Sequence, residues 1–180
     1  MTVWAVFVAF AAASNPVRRR TCLSVQDTSS VAIGGVLACV AYTVIAVAGV
    51  TVRDALDISA PNARVAAGLV LVAVGLHAVV ASPPAPQLTV TASTRWLMPV
   101  LFPVFLRPDL ALVALAADRA TDIASVVLAA VVGVVLVVTW WACRGSSSRG
   151  SMLERAVGVV LGAATVIAAT RLLLDGVFAV

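Results

Sequence analysis

The sequence has little charge and no lysine. Of its 180 residues, 12 are arginines and 8 are acidic, so charged side chains make up only 11% of the chain. Soluble domains carry about 25% charged residues. The apolar fraction is 62%, which no soluble core could hide, because a domain this small leaves roughly a third of its chain surface in water. The composition excludes a soluble enzyme, a disordered chain and a nucleic-acid-binding module, and it predicts an integral membrane protein whose main partner is the lipid bilayer.

Residue types that carry chemistry are equally scarce. The three cysteines (Cys22, Cys39 and Cys143) have no metal-ligand or redox spacing, and the chain has a single histidine, His77. No nucleophile elbow, phosphate-binding glycine loop or cluster of metal ligands occurs. We therefore expect no enzyme activity, no metal and no cofactor. His77 could relay protons, because imidazole titrates near neutral pH, or it could be a neutral side chain bonded to a facing carbonyl.

Long apolar runs predict six membrane-crossing helices. Residues 31–50, 65–81, 123–142 and 156–174 each approach the length of about 20 residues that a helical span needs. Two further runs, 1–14 and 96–117, are apolar but interrupted. The first ends in Asn15-Pro16, and the second contains the break Arg107-Pro108-Asp109. The predicted fold is an all-α membrane protein in which helices 1 and 4 are interrupted.

The arginines predict the orientation in the membrane. The loops after helices 1, 3 and 5 hold seven arginines, and those after helices 2 and 4 hold three. Because cytoplasmic loops are enriched in basic residues, the odd-numbered loops are predicted to be cytoplasmic. Both termini then lie outside the cytoplasm. The seven are Arg18, Arg19, Arg20, Arg95, Arg144, Arg149 and Arg155, and the three are Arg53, Arg64 and Arg119.

The two interrupted segments also indicate an internal repeat. A shift of 92 residues superimposes five identical residues: Thr2 on Thr94, Trp4 on Trp96, Val8 on Val100, Phe10 on Phe102 and Pro16 on Pro108. A shift of 91 places Arg64 on Arg155. The predicted repeats are residues 1–81 and 94–180, joined by a linker at 82–93. Since each has three helices, the two enter the membrane from opposite sides, as the inverted-topology repeats of secondary transporters do.

The matched breaks predict a central polar site. A proline removes a backbone N–H and frees a carbonyl, and such groups are tolerated in hydrocarbon only where protein buries them or water reaches them. A charge at membrane depth costs about 3 kcal/mol or more. The candidate substrate-binding residues are therefore Asn15, Pro16, Arg107, Pro108 and Asp109. Alternatively, Arg107, Pro108 and Asp109 lie in an interfacial turn where water solvates the pair.

The remaining charges of the even-numbered loops are expected to have structural roles. Asp54 and Asp57 are expected to form solvated ion pairs with Arg53 and Arg64. Asp118 and Asp122 stand where the fifth helix opens, and carboxylates at that position favour the helix dipole.

The order of these motifs resembles the MarC-type integral membrane proteins, within the wider set of LysE-like exporters. That family shows an Asn-Pro motif in its first helix, similar to Asn15-Pro16, and a Gly-Pro-Gly-like break in its fourth, where this chain has Arg107-Pro108-Asp109. Other shared features are Pro99 and Pro103, Arg64 with Gly68, Arg155 with Gly158, and the ending Leu174-Asp175-Gly176. The resemblance implies a six-helix protein of the bacterial inner membrane, with some relatives that transport small neutral amino acids.

Three functions remain open at this point. The first is a secondary transporter or exporter of polar small molecules, with Asn15, Arg107 and Asp109 at its site. The second is an accessory or structural subunit that transports nothing, bound to a larger membrane complex or to a second copy of itself. The third is lipid translocation, in which Arg18–Arg20 attract anionic headgroups. Core packing by small residues such as Gly158 and Gly162 fits all three.

Overall fold

The computed structural model describes residues 3–13, 28–80, 101, 105–143 and 151–179. Asn15, Pro16 and the linker at 82–93 therefore lie outside the described residues. The described part forms six helices and confirms the predicted all-α fold. They are α1 (Val3–Ala13), α2 (Thr28–Ala55), α3 (Ala60–Val80), α4 (Pro108–Leu115), α5 (Ala120–Cys143) and α6 (Ser151–Val177).

Four of these helices are long and apolar enough to cross a membrane. The candidate spans are Ser29–Ala55, Ala60–Val80, Ala120–Thr139 and Ala156–Val177, and they coincide with the four uninterrupted apolar runs of the sequence. Large apolar side chains cover their outer faces, as Val36 and Val160 show with exposed fractions of 64% and 65%. Lipid is the solvent that suits such a surface, so the chain is a multi-pass membrane protein.

Helix α3 packs closely and antiparallel against α6. A Cβ atom at Gly68 would lie 3.0 Å from the carbonyl oxygen of Ala169, and one at Gly75 would lie 3.2 Å from that of Gly162. Residue numbers thus increase along α3 in the direction in which they decrease along α6. Lipid tails are as apolar as the helix faces, so close van der Waals contact between small residues is what holds membrane helices together.

The other helices interlock around the short helix α4. Helix α1 packs against α5 and α6, α2 packs against α4 and α5, and α3 packs against α4 and α6. Aromatic side chains of three segments (Phe10, Tyr42 and Phe105) are buried together with the apolar side chains of α4. Helix α4 is therefore mostly buried against its neighbours, whereas Pro108 at its start is exposed.

The fourth apolar segment is interrupted at Arg107, as predicted. The N–H of Leu106 donates to the carbonyl of Leu101 at 2.7 Å, an i to i+5 bond typical of a π-helical turn. Arg107 is extended (φ −114°, ψ 137°), and Pro108 is the first residue of α4. The physical cause is local, because a residue before proline avoids the α conformation, whereas the fixed φ of proline suits a first helical position.

Candidate functional site

Arg107 and Asp109 form a two-pronged ion pair at the start of α4. The Nε of Arg107 donates to Oδ1 of Asp109 at 2.9 Å, and Nη2 donates to Oδ2 at 2.5 Å. Their side chains are 19% and 3% exposed, so protein covers the carboxylate, whereas the guanidinium and Pro108 keep an accessible side. The substrate site and the interfacial turn both stay predictions, although the carboxylate itself is buried. A planar guanidinium that meets a carboxylate with two parallel bonds is the strongest common form of this interaction.

Helix α4 supplies a further reason for the position of the carboxylate. Asp109 lies in the first turn of α4, where backbone N–H groups have no helical partner and the helix dipole favours negative charge. Asp109 is therefore stabilised by the helix end and by Arg107 together. Any anion or carboxylate brought to this point would meet the same two sources of positive potential.

Tyr42 joins the two ends of the break. Its hydroxyl donates to the carbonyl of Phe105 at 2.9 Å and accepts from the N–H of Arg107 at 2.9 Å. These are backbone groups that the interruption removes from the helical pattern, and an unpaired group in hydrocarbon costs several kcal/mol. The ring of Tyr42 meets that of Phe10 edge to face, with centroids 5.2 Å apart and planes at 79°. Helix α1 thus reaches the break.

Sequence reasoning missed Tyr42, although one signal could have found it. Tyr42 is the sole tyrosine of the chain and stands in an uncharged apolar run. A buried phenol hydroxyl needs a hydrogen-bond partner, and backbone groups at the helix breaks need one as well. That a hydroxyl of helix 2 serves the break of helix 4 depends on packing that the sequence pattern does not show.

A second polar cluster lies where α2 and α4 end and where α3 and α5 begin. We call it the end cluster; its members are Arg53, Arg64, Asp118 and Asp122. Arg53, in the last turn of α2 and 3% exposed, donates to the carbonyls of Leu115 and Ala117 and to Oδ1 of Asp118, the last two at 2.8 and 3.1 Å. The carbonyls at a helix C-terminus lack partners, and a cation there interacts favourably with the dipole. Arg53 therefore caps the C-terminal end of α4.

Arg64 occupies the same cluster with looser contacts. Its Nη2 lies 3.9 Å from Oδ2 of Asp118 and 4.0 Å from Oδ2 of Asp122, and its buried Nε has no hydrogen-bond partner. The side chain of Asp122 is 3% exposed and that of Asp118 is 42% exposed. Two guanidinium groups thus face two carboxylates, one of them half in solvent.

The expected pairing of Arg53 and Arg64 with Asp54 and Asp57 is wrong. Helix α2 continues to Ala55, so Arg53 is a helical residue facing the bundle rather than a loop residue facing water. The role predicted for Asp122 is confirmed, because its carboxylate accepts from the N–H of Arg119 at 3.4 Å. Asp118 instead serves as the ion-pair partner of Arg53.

The remaining candidate residues lie elsewhere or outside the described part. His77 is exposed in the last turn of α3, at the opposite end of that helix from Arg64. Its role as a proton relay stays a prediction. The substrate-site residues Asn15 and Pro16 are not among the described residues. Within the part of the chain that the structure describes, no three His, Cys, Asp or Glu side chains are placed to hold a metal ion.

These features define a class: a multi-pass α-helical membrane protein whose described part has an interruption before α4. Comparisons with protein-family models, curated proteins and solved structures find no match for the chain. The resemblance to MarC-type proteins therefore rests on the sequence motifs alone, and function has to be argued from the geometry of the break.

Proposed function

We propose that the chain is a small secondary transporter or exporter of polar small molecules, with Arg107 and Asp109 at its substrate site. The observation that carries the proposal is the buried ion pair at the broken helix. Charged side chains at membrane depth are expensive, and the fold would be simpler with two apolar residues there. Discontinuous helices whose free ends face polar groups form the sites of many secondary transporters.

The packing of the helices supports two equivalent halves. If the two halves are equivalent, α1 corresponds to α4, α2 to α5 and α3 to α6. The contacts of α1 with α5 and α6 then correspond to those of α4 with α2 and α3, and all four contacts are present. The contact of α2 with α5 and that of α3 with α6 each join two equivalent helices, so the symmetry leaves them unchanged. Such exchange symmetry is what an inverted repeat requires.

The end cluster adds sequence support for the same repeat. A shift of 91 residues, which superimposes Arg64 on Arg155, also superimposes Arg53 on Arg144 and Asp27 on Asp118. Three of the four cluster members thus have a counterpart of identical type at one shift. Charged residues are rare in this chain, so their coincidence counts for more than matches among alanine and valine.

In this proposal the chain lies in the bacterial cytoplasmic membrane with both termini outside, as the arginine distribution predicts. Helix 1 with Asn15-Pro16 and helix 4 with Arg107-Pro108-Asp109 are the equivalent broken helices. They move against the other four helices to expose the site to one side at a time. Small neutral amino acids, which the MarC resemblance implies, are the first substrates to test.

A flux measurement tests the proposal. Purified protein in proteoliposomes is expected to exchange radiolabelled serine or alanine above the protein-free rate. Arg107→Gln with Asp109→Asn should reduce exchange to that rate, because both charged groups of the site are lost while polar side chains of similar size remain. The matched control, Arg171→Gln with Asp175→Asn, removes the same charges from α6 and should exchange as the native protein does.

Failure of this test has a definite meaning. If the native protein exchanges neither amino acid nor any of a panel of small organic acids and sugars, the transport proposal is rejected. The alternative then favoured is an accessory subunit, for which one observation already speaks: both oxygens of Asp109 are bonded to Arg107 within the chain. Such a pair could serve to fix the bend at Pro108.

A further inference from the structure

The ion pairs of the end cluster and the hydrogen bonds that Arg53 donates all cross between the two proposed halves. Arg53 and Arg64 belong to α2 and α3. Their partners are the carbonyls of Leu115 and Ala117 and the carboxylates of Asp118 and Asp122, which lie in α4, in α5 or in the connection between them. Any movement of α4 away from α2 and α3 must therefore break these contacts.

The cluster lies at the opposite end of α4 from the proposed site. Arg107 and Asp109 stand at the N-terminal end of α4, and the cluster stands at its C-terminal end. Since α4 has 8 residues, the two are separated by about 12 Å at 1.5 Å per residue. Helix α4 thus links the ion pair in the bundle to an ionic contact at one membrane face.

The fit of α4 against α2 has a close contact beneath the cluster. A Cβ atom at Gly49 would lie 2.9 Å from the carbonyl oxygen of Leu115 and 3.3 Å from its Cα. Glycine at this position therefore lets the end of α4 approach α2 closely enough for Arg53 to reach its carbonyls. The polar contacts of Arg53 depend on this approach and end when α4 withdraws.

The ion pairs of the end cluster are longer, and Asp118 is more exposed, than the ion pair at Arg107, and this difference suits reversible opening. The pair at Arg107 is doubly bonded, whereas Arg64 stays 3.9 to 4.0 Å from its carboxylates and Asp118 is 42% exposed. Water can replace the protein contacts of Asp118 when it moves outward. Partly exposed ion pairs contribute little net free energy, so the contacts of Asp118 can form and break, although Arg53 itself is buried.

We propose that the end cluster is the ion-pair gate on its side of the membrane. In the closed state Arg53 holds the C-terminal end of α4, and Asp118 is held by Arg53 and approached by Arg64. In the open state α4 and the residues that follow it move outward, and the path to Arg107 and Asp109 opens from that side. This gate rests on the proposed transport function, because a protein that transports nothing needs none.

The test is the accessibility of a buried position behind the gate. Ala114, which is fully buried in α4, is replaced by cysteine in a protein whose three native cysteines are changed (C22S, C39A and C143S). A membrane-impermeant maleimide is added from one face or the other. We expect Asp118→Asn to raise the labelling rate from the gate side about tenfold, because loss of the carboxylate favours the open state. The predicted orientation makes this the extracytoplasmic side.

Two controls separate gating from other effects. Asp54→Asn removes an exposed carboxylate from the same helix end as Arg53 and should leave the labelling rate unchanged. A second reporter, Ala168→Cys, lies buried in α6, which the proposal holds fixed, and should stay protected. Arg64→Gln gives a second opening variant if Asp118→Asn is poorly expressed.

Each outcome decides. Faster labelling at position 114 alone, from one face, supports the gate. Unchanged labelling in both Asp118→Asn and Arg64→Gln overturns it, and so does faster labelling at positions 114 and 168 together, which reports general loosening. Because labelling needs no flux, an opening protein that moves no substrate rejects transport alone, whereas flux without any labelling response rejects the gate alone.

Discussion

Asp109→Asn is expected to lower the free energy of unfolding by about 3–5 kcal/mol, the usual effect of removing one partner from a buried ion pair. The cause is the charge left behind. Arg107 cannot lose its proton, so its guanidinium would remain charged, 81% buried and without its carboxylate. Arg107→Gln should be less harmful, because the N-terminal end of α4 still stabilises the remaining carboxylate.

The double variant makes this prediction specific. Arg107→Gln with Asp109→Asn leaves no unpaired charge, so we expect it to be more stable than Asp109→Asn alone despite carrying one more substitution. Unfolding in detergent, followed by circular dichroism against added dodecyl sulfate, measures the difference. Asp175→Asn, near the end of α6, is the control and should change stability little. A double variant as unstable as the sum of the single variants would show that the pair is not the source of the effect.

Tyr42→Phe is expected to lower the free energy of unfolding by about 3 kcal/mol, because two backbone groups lose their hydrogen-bond partner at once. Each unsatisfied group costs about 1–3 kcal/mol. The substitution keeps the ring that meets Phe10 and removes the hydroxyl that bridges the carbonyl of Phe105 and the N–H of Arg107. The same unfolding titration measures the loss.

Thr43→Val is the matched control for this bridge. It also removes one hydroxyl from α2, but the hydroxyl of Thr43 bonds within its own helix to the carbonyl of Cys39, which already lies in the helical hydrogen-bond pattern. We expect a change below about 1 kcal/mol. If the two substitutions are equally mild, the break is not held by Tyr42, and water or another side chain must satisfy Phe105 and Arg107.

The sequence predicts the fold wherever a local property decides it. The four long spans follow from run length, and the interruption at Arg107 follows from the steric effect of Pro108 on the residue before it. The ion pair of Arg107 with Asp109 is likewise local, since the two residues are separated by one position. In each case the physical cause lies within a few residues of its effect.

The missed features depend on contacts between distant segments. The bonds of Tyr42 to Phe105 and Arg107 join residues 63 and 65 positions apart, and Arg53 reaches carbonyls 62 and 64 positions away. An apolar helix has no strongly polar face to show which side meets a neighbour. Polar residues near helix ends are therefore easy to assign to solvent, as happened with Arg53.

A substrate at the proposed site must compete with an ion pair that is already well bonded. A polar molecule that carries both charges, such as an amino acid, could replace the bonds that Arg107 and Asp109 give each other, so the loss is offset as the substrate binds. A pair whose only task is to fix the bend has no such requirement. It needs opposite charges on the two sides of Pro108, and the start of α4 accommodates a carboxylate at the N-cap position of Arg107 as well as in the first turn.

A variant in which the two charges are swapped therefore tests the proposed site most directly. Arg107→Asp with Asp109→Arg keeps an ion pair across Pro108 but moves each charge to the other position, so a bound substrate would meet the wrong charge at each end. Serine exchange in proteoliposomes is measured for this variant beside the native protein, with unfolding as the check on stability. We predict a folded protein whose exchange falls to the protein-free rate. Exchange at the native rate would contradict the account and assign the pair a purely structural role.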